Sequence, residues 1–222
     1  MLDKKINIVP SILASNFLRL GKEIEEVSKY VEAIHLDVMD GSFVNNISFG
    51  PQVIKALRKC TDLPFDVHLM IENPIKYIDE FVSAGADIIT FHIEALKSDE
   101  DVRKIIDSIK RHEVSVGISI KPTTPVEKII PYLEDSFMIL IMTVDPGFGG
   151  QKFIESQVDK ISLLKKEIER RKLNVKIEVD GGINKETIGK AYKAGASIFV
   201  AGTSVFGQSD YNKAVEDLKN GI

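Results

Sequence analysis

The chain has 222 residues, a formal net charge of −4 and one cysteine, Cys60. A lone cysteine excludes an internal disulfide, and a mildly acidic chain with scattered basic residues excludes a nucleic-acid footprint. No apolar run approaches a membrane span, and the first five residues lack the apolar core of a signal peptide. We therefore expect a cytoplasmic protein with no nucleic-acid or membrane partner.

Short apolar, β-branched runs alternate with longer amphipathic stretches along the whole chain. In order, strand patterns at 6–10, 33–39, 64–70 and 87–92 precede helical patterns at 17–30, 51–59, 74–84 and 99–112. Strands at 115–120, 138–144, 176–179 and 197–201 then precede helices at 126–133, 155–171, 185–194 and 211–219. Gly85 and Gly195 look like helix stops that feed the next strand. Eight strand–helix units without a linker predict an α/β fold, a single closed (β/α)8 TIM barrel spanning residues 1–222. An open doubly wound sheet is the structural rival, and the count of eight favours the barrel.

Ionisable residues interrupt these apolar strands. His35 and Asp37 lie two apart and share a face, and His68 and Asp180 stand at or just past the ends of two other strands. If those strands converge, two imidazoles and two carboxylates form either a divalent-metal cage or an acid/base pair. Barrel chemistry sits at the carboxyl ends of the strands, and Ser11, Asp37, Met39, His68, Met70, Met142 and Asp180 all fall there. Asp40 before Gly41 reads as a turn starter, and His92 as a core histidine or a strand-end ligand without an evident partner.

Three glycine-bearing loops follow the last strands. Asp145-Pro146-Gly147-Phe148-Gly149-Gly150-Gln151 is read as opening a helix, and Asp180-Gly181-Gly182-Ile183 and Gly202-Thr203 follow the next two strands. Glycine lets successive N–H groups curl around an anion, and barrels commonly hold phosphate with the loops after strands seven and eight. A phosphorylated substrate is expected.

These residues together resemble the ribulose-phosphate 3-epimerase family: Ser11-Ile12-Leu13-Ala14, His35 through Gly41, His68-Leu69-Met70, Pro146 through Gln151, and Val179-Asp180-Gly181-Gly182. The resemblance implies a barrel of the ribulose-phosphate-binding type that interconverts D-ribulose 5-phosphate and D-xylulose 5-phosphate. It implies one divalent ion, zinc or iron with manganese or cobalt as alternatives, on His35, Asp37, His68 and Asp180. Asp37 and Asp180 would be the proton-transfer pair. Substrate contacts would come from Ser11, His68, Gly147, Phe148, Gly149, Gly150, Asp180, Gly181, Gly182, Ile183, Gly202 and Thr203. A homo-oligomer, dimer or hexamer, is also implied.

The chemistry agrees with this reading. Inverting a carbon beside a carbonyl needs a proton removed from one face and one returned to the other, which two carboxylates can do. A divalent ion would stabilise the enediolate, and Met39, Met70 and Met142 would form a water-poor lid. Met142 through Pro146 and Gly202 through Ser204 also resemble the sister enzyme that acts on D-allulose 6-phosphate, whereas the paired glycines favour the pentulose. A decarboxylase would want an Asp-x-Lys-x-x-Asp strand, and here methionine replaces the lysine. A Schiff-base aldolase would rest on Lys121, which has no evident activating group. A non-catalytic phosphosugar sensor would be expected to lose Asp37 or Asp180, and both are present.

Overall fold

Alternation along each strand sends its side chains into two environments. On β1 (Asn7–Pro10), β2 (Ile34–Met39), β3 (Phe65–Met70) and β4 (Ile88–His92), Ile8, Leu36, Val67 and Phe91 join the large apolar layer beneath the helices. β5 (Ser115–Ile120), β6 (Met138–Met142), β7 (Lys176–Asp180) and β8 (Ile198–Ala201) continue it with Ile118, Ile141, Val179 and Phe199. Each fully buried side chain of this kind contributes about 1.5–3 kcal/mol. That outer layer supplies the stability, which leaves the inner faces free to hold polar groups.

The computed structural model describes residues 2 and 4–222, so Met1 and Asp3 of the N-terminal reading lie outside the described residues. All eight strands are parallel, in the order β1-β8-β7-β6-β5-β4-β3-β2. A parallel bridge between Ser11 and His35 closes the β1–β2 seam. Glu32 extends that seam: its N–H donates to the Ile8 carbonyl (3.3 Å) and its carboxylate accepts the Ile8 N–H (2.8 Å). Lys4 and Lys219 hold the same carboxylate at 3.0 and 3.1 Å. The expected barrel forms, and the open sheet does not. Inside it, Val9, Ile88, Met138 and Ile198 make an apolar plug at the amino-terminal end. Asp37, His68 and Asp180 lie nearer the carboxyl ends of their strands.

The helices are α1 (Leu20–Val27), α2 (Pro51–Leu57), α3 (Ile78–Ala84), α4 (Asp99–Lys110), α5 (Gln157–Arg170), α6 (Ile188–Ala194), α7 (Thr203–Phe206) and α8 (Tyr211–Lys219). Gly85 and Gly195 end α3 and α6 with left-handed caps, as their positions predict. The expected helix at 126–133 is instead two 3-10 segments, Val126–Lys128 and Ile130–Asp135. Pro131 explains this, because it lacks the N–H that a continuing α-helix needs and its ring crowds the preceding turn. The short α7 directly after β8 was not predicted. Among the described residues, no helix is long and apolar enough to cross a membrane.

Candidate active site

The β2–β3 register sets His35 beside Asp66 and Asp37 beside His68. All four point into the barrel and are buried. His35 Nε2 lies 3.2 Å from Asp37 Oδ1 and 3.4 Å from His68 Nδ1, and His68 Nδ1 is 3.2 Å from Asp37 Oδ1. Asp180 comes from β7, three steps from β2 around the closed barrel, and its Oδ2 is 3.9 Å from His68 Nδ1. One ligand atom from each of His35, Asp37, His68 and Asp180 lies within 4.8 Å of the other three. Donors about 2.0–2.2 Å from a shared cation sit at most about 4.4 Å apart, so a small contraction accommodates one ion. Two imidazoles and two carboxylates suit zinc, ferrous iron, manganese or cobalt.

Neighbouring groups orient these donors. His35 Nδ1 donates to Asp66 Oδ2 at 2.6 Å, which turns Nε2 toward the cluster. Thr90 Oγ donates to the other Asp66 oxygen at 3.2 Å. Ser11 donates its hydroxyl to Asp37 Oδ2 and also accepts the Leu13 N–H, so it orients a carboxylate and caps a short turn at once.

The two carboxylates are pushed in opposite directions. Burial alone would raise Asp37, but the neighbouring His35 and His68 outweigh it and hold Asp37 well below the usual carboxylate range. Burial, then the Asp37 charge, raise Asp180 to about 6 against the opposing pull of His35 and His68. An ionised Asp37 facing an Asp180 that can gain and release a proton near neutral pH is the arrangement of an acid/base pair.

A raised folded-state pKa has a definite sign in stability. The contribution of Asp180 is intact below the unfolded pKa, near 4, and is lost as pH rises through about 6. In chelator-treated protein, Asp180→Asn should therefore match the parent closely at pH 4 and exceed its stability by about 1–3 kcal/mol at pH 8. Urea denaturation across that range measures the gap. A gap that does not change with pH would contradict the assignment.

A cavity of about 490 Å³ opens above the cluster. Ser11, Asp37 and Asp180 line its floor, and Met39, Met70 and Met142 line its wall, each methionine at most 4 % exposed. Gly147, Phe148, Gly149, Gly150, Gly181, Gly182, Ile183, Gly202 and Thr203 surround its other end. His35 and His68 lie beneath this floor with no exposed surface and do not line the cavity.

One expectation needs correction: the 145–151 loop does not open a helix, since α5 begins only at Gln157. The chain turns back because the Ile154 N–H bonds the Thr143 carbonyl (2.8 Å) and the Gln151 amide donates to the Asp145 and Phe148 carbonyls (2.6 and 2.9 Å). The helix start at this end of the cavity is α7, whose first residue is Thr203.

Asp40 accepts the N–H groups of Ser42, Phe43 and Glu72, as a turn residue does. Lys121 places its ammonium 3.9 Å over the Phe43 ring and does not line the reaction cavity, which removes the Schiff-base reading.

Four residues of the site, Asp66, Thr90, Glu94 and Glu178, escaped the sequence reading, and His92 was left there without a partner. Asp66 supports His35. His92 sits 2.9 Å from His68 through their Nε2 atoms, and Glu94 lies 3.1 Å from His92 Nδ1. Burial lowers His92 to about 4, and its contact with His92 helps lower Glu94 to about 2 against the opposing effect of burial. Glu178, inward on β7 two residues before Asp180, is fully buried, and burial together with Asp66 raises it well above the usual range. The signal for Asp66, Thr90 and Glu178 was their period-two spacing with His68, His92 and Asp180.

The model of the ribulose-phosphate 3 epimerase family matches residues 7–206. A Bacillus subtilis protein named ribulose-phosphate 3-epimerase is 48% identical over 216 residues, covering 96% of this chain and 98% of that one. The Arabidopsis thaliana chloroplastic ribulose-5-phosphate-3-epimerase is 45% identical, covering 96% of this chain and 76% of its own. A crystal structure of 3-hexulose-6-phosphate synthase superposes with a TM-score of 0.72 at 18% identity, covering 98% of this chain and 100% of that one, and so shares the fold. The chain belongs to the ribulose-phosphate 3-epimerase family.

Proposed function

We propose that this protein interconverts D-ribulose 5-phosphate and D-xylulose 5-phosphate by proton transfer at C3. The observation that carries the proposal is the pair of oppositely perturbed carboxylates, Asp37 and Asp180, brought from separate parts of the barrel wall to one floor. Ionised Asp37 removes the C3 proton from one face, and the electron pair of the broken C–H bond moves toward the C2 carbonyl oxygen. Protonated Asp180 then delivers its proton to the opposite face of C3, and the reverse reaction exchanges the two roles. Ser11 keeps Asp37 aimed through its hydroxyl. Met39, Met70 and Met142 exclude water beside the reacting carbon.

His35, Asp37, His68 and Asp180 would hold one divalent ion, zinc or iron in our proposal, which when bound supplies positive charge to stabilise the enediolate. The loops at 147–150, 181–183 and 202–203 would bind the phosphate through backbone N–H groups, with the start of α7 among them. The names of the similar proteins favour the pentulose over the hexulose phosphate. A cytoplasmic homo-oligomer, dimer or hexamer, completes the proposal.

Turnover of ribulose 5-phosphate and allulose 6-phosphate, compared before and after chelation, tests this reading. A chelator-sensitive preference for the pentulose supports it. Preference for the hexulose transfers the same mechanism to the longer substrate. Turnover of neither returns the sensor reading.

A further inference from the structure

Beyond the four metal-ligating residues, a hydrogen-bond chain runs from His68 away from the reaction cavity. His68 Nε2 meets His92 Nε2 at 2.9 Å, His92 Nδ1 meets Glu94 Oε2 at 3.1 Å, and the Lys121 N–H donates to Glu94 Oε1 at 2.7 Å. The His68 and His92 rings stack with centroids 5.0 Å apart and an interplanar angle of 28°, and the Phe43 ring packs on His92 at 4.8 Å. Both imidazoles have no exposed surface. Neither His92 nor Glu94 lines the reaction cavity, and Glu94 instead borders a separate cavity with Phe43 and Lys121.

We propose that His92 and Glu94 are positioning residues that fix His68 in the tautomer with its proton on Nε2 and its Nδ1 lone pair aimed at the metal cluster. The polarity of the chain follows from which groups can donate. An ionised carboxylate only accepts, so His92 Nδ1 must donate to Glu94. The Nε2 of neutral His92 then carries a lone pair and accepts from His68 Nε2. A His68 that donates from Nε2 to His92 turns Nδ1, the atom 3.2 Å from Asp37 Oδ1, toward the metal cluster, where a bound ion would take its lone pair. The backbone N–H of Lys121 completes the chain and holds the far carboxylate oxygen in place. His35 receives the equivalent service from Asp66 directly, whereas His68 receives it through a second imidazole. This inference rests on the metal reading given above.

The test is Glu94→Gln, which keeps the shape and loses the acceptor-only character. The Gln oxygen satisfies the Lys121 N–H only if its NH2 faces His92, which reverses the donor order and drives the proton of His68 toward Nδ1. His92→Phe is the second variant, since it keeps an aromatic ring against Phe43 and removes the acceptor. Cobalt affinity is measured by chelator competition on folded protein of each variant, and nitrogen-15 NMR of the metal-free protein reports whether His68 Nε2 carries a proton. We expect affinity to fall tenfold to a hundredfold in both variants. We also expect Nε2–H in the parent and a loss of that preference in Glu94→Gln. Parental affinity in both variants, or an unchanged tautomer in Glu94→Gln, overturns the proposal. A parent that binds no cobalt overturns the metal reading, and this inference with it.

Discussion

Asp37→Asn and Asp180→Asn should each lower turnover of ribulose 5-phosphate by about 10³-fold or more, with the barrel intact. General acid–base catalysis by a positioned group contributes about 10²–10⁴-fold, and each aspartate also belongs to the candidate ligand set. The more telling readout is exchange with solvent. If one carboxylate serves each face of C3, a variant that retains a single functional carboxylate can still exchange the C3 hydrogen of one epimer. The two variants should then exchange opposite epimers, read by NMR in deuterated buffer. Exchange of the same epimer by both variants, or turnover within tenfold of the parent in either, contradicts the two-carboxylate assignment. Metal content measured beside the rates separates a lost proton carrier from a lost ligand.

Two glycines of the cavity's loop end should behave very differently. Gly182 has φ +66°, and a Cβ there would fall on the backbone N and Cα of Phe153, where the loop after β6 crosses the loop after β7. Backbone cannot swing aside as a flexible side chain can. Gly182→Ala should therefore cost about 2–5 kcal/mol, from a left-handed alanine and an overpacked loop crossing together. Gly150 has φ +74° but no atom within 4 Å of the position of a Cβ. Gly150→Ala should cost only about 1 kcal/mol of folding stability. Its effect should appear as a raised KM with kcat little changed, the pattern of lost uniform binding. Chemical denaturation and steady-state kinetics on the two variants check the contrast. Equal stability of the two would remove the loop crossing as a determinant, and a fall in kcat alone for Gly150→Ala would remove its binding role.

The central constellation was legible because strand periodicity is local. His35 with Asp37 follows from a spacing of two, and strand-end placement directed attention to His68 and Asp180. The same periodicity puts Asp66, Thr90 and Glu178 on inward faces, a signal the sequence reading left unused. What could not be read was which inward residues lie level with one another. That depends on the stagger between strands, which a single sequence does not contain. His92 therefore had no visible partner, although His68 lies one strand away at 2.9 Å. The glycine loop misled for a related reason. Its backward turn rests on a bond from Ile154 to Thr143 and on the Gln151 side chain, contacts that glycine spacing does not reveal. The missing helix after β5 was announced by Pro131, whose effect the amphipathic pattern around it concealed.

The most direct test of the epimerase account is turnover of ribulose 5-phosphate by the metal-loaded protein in deuterated water, followed by proton NMR. Two-carboxylate transfer predicts xylulose 5-phosphate carrying a solvent deuteron at C3 from the first turnover, with product formation abolished by chelation. Xylulose 5-phosphate that retains the original C3 proton would contradict the account, as would the absence of product.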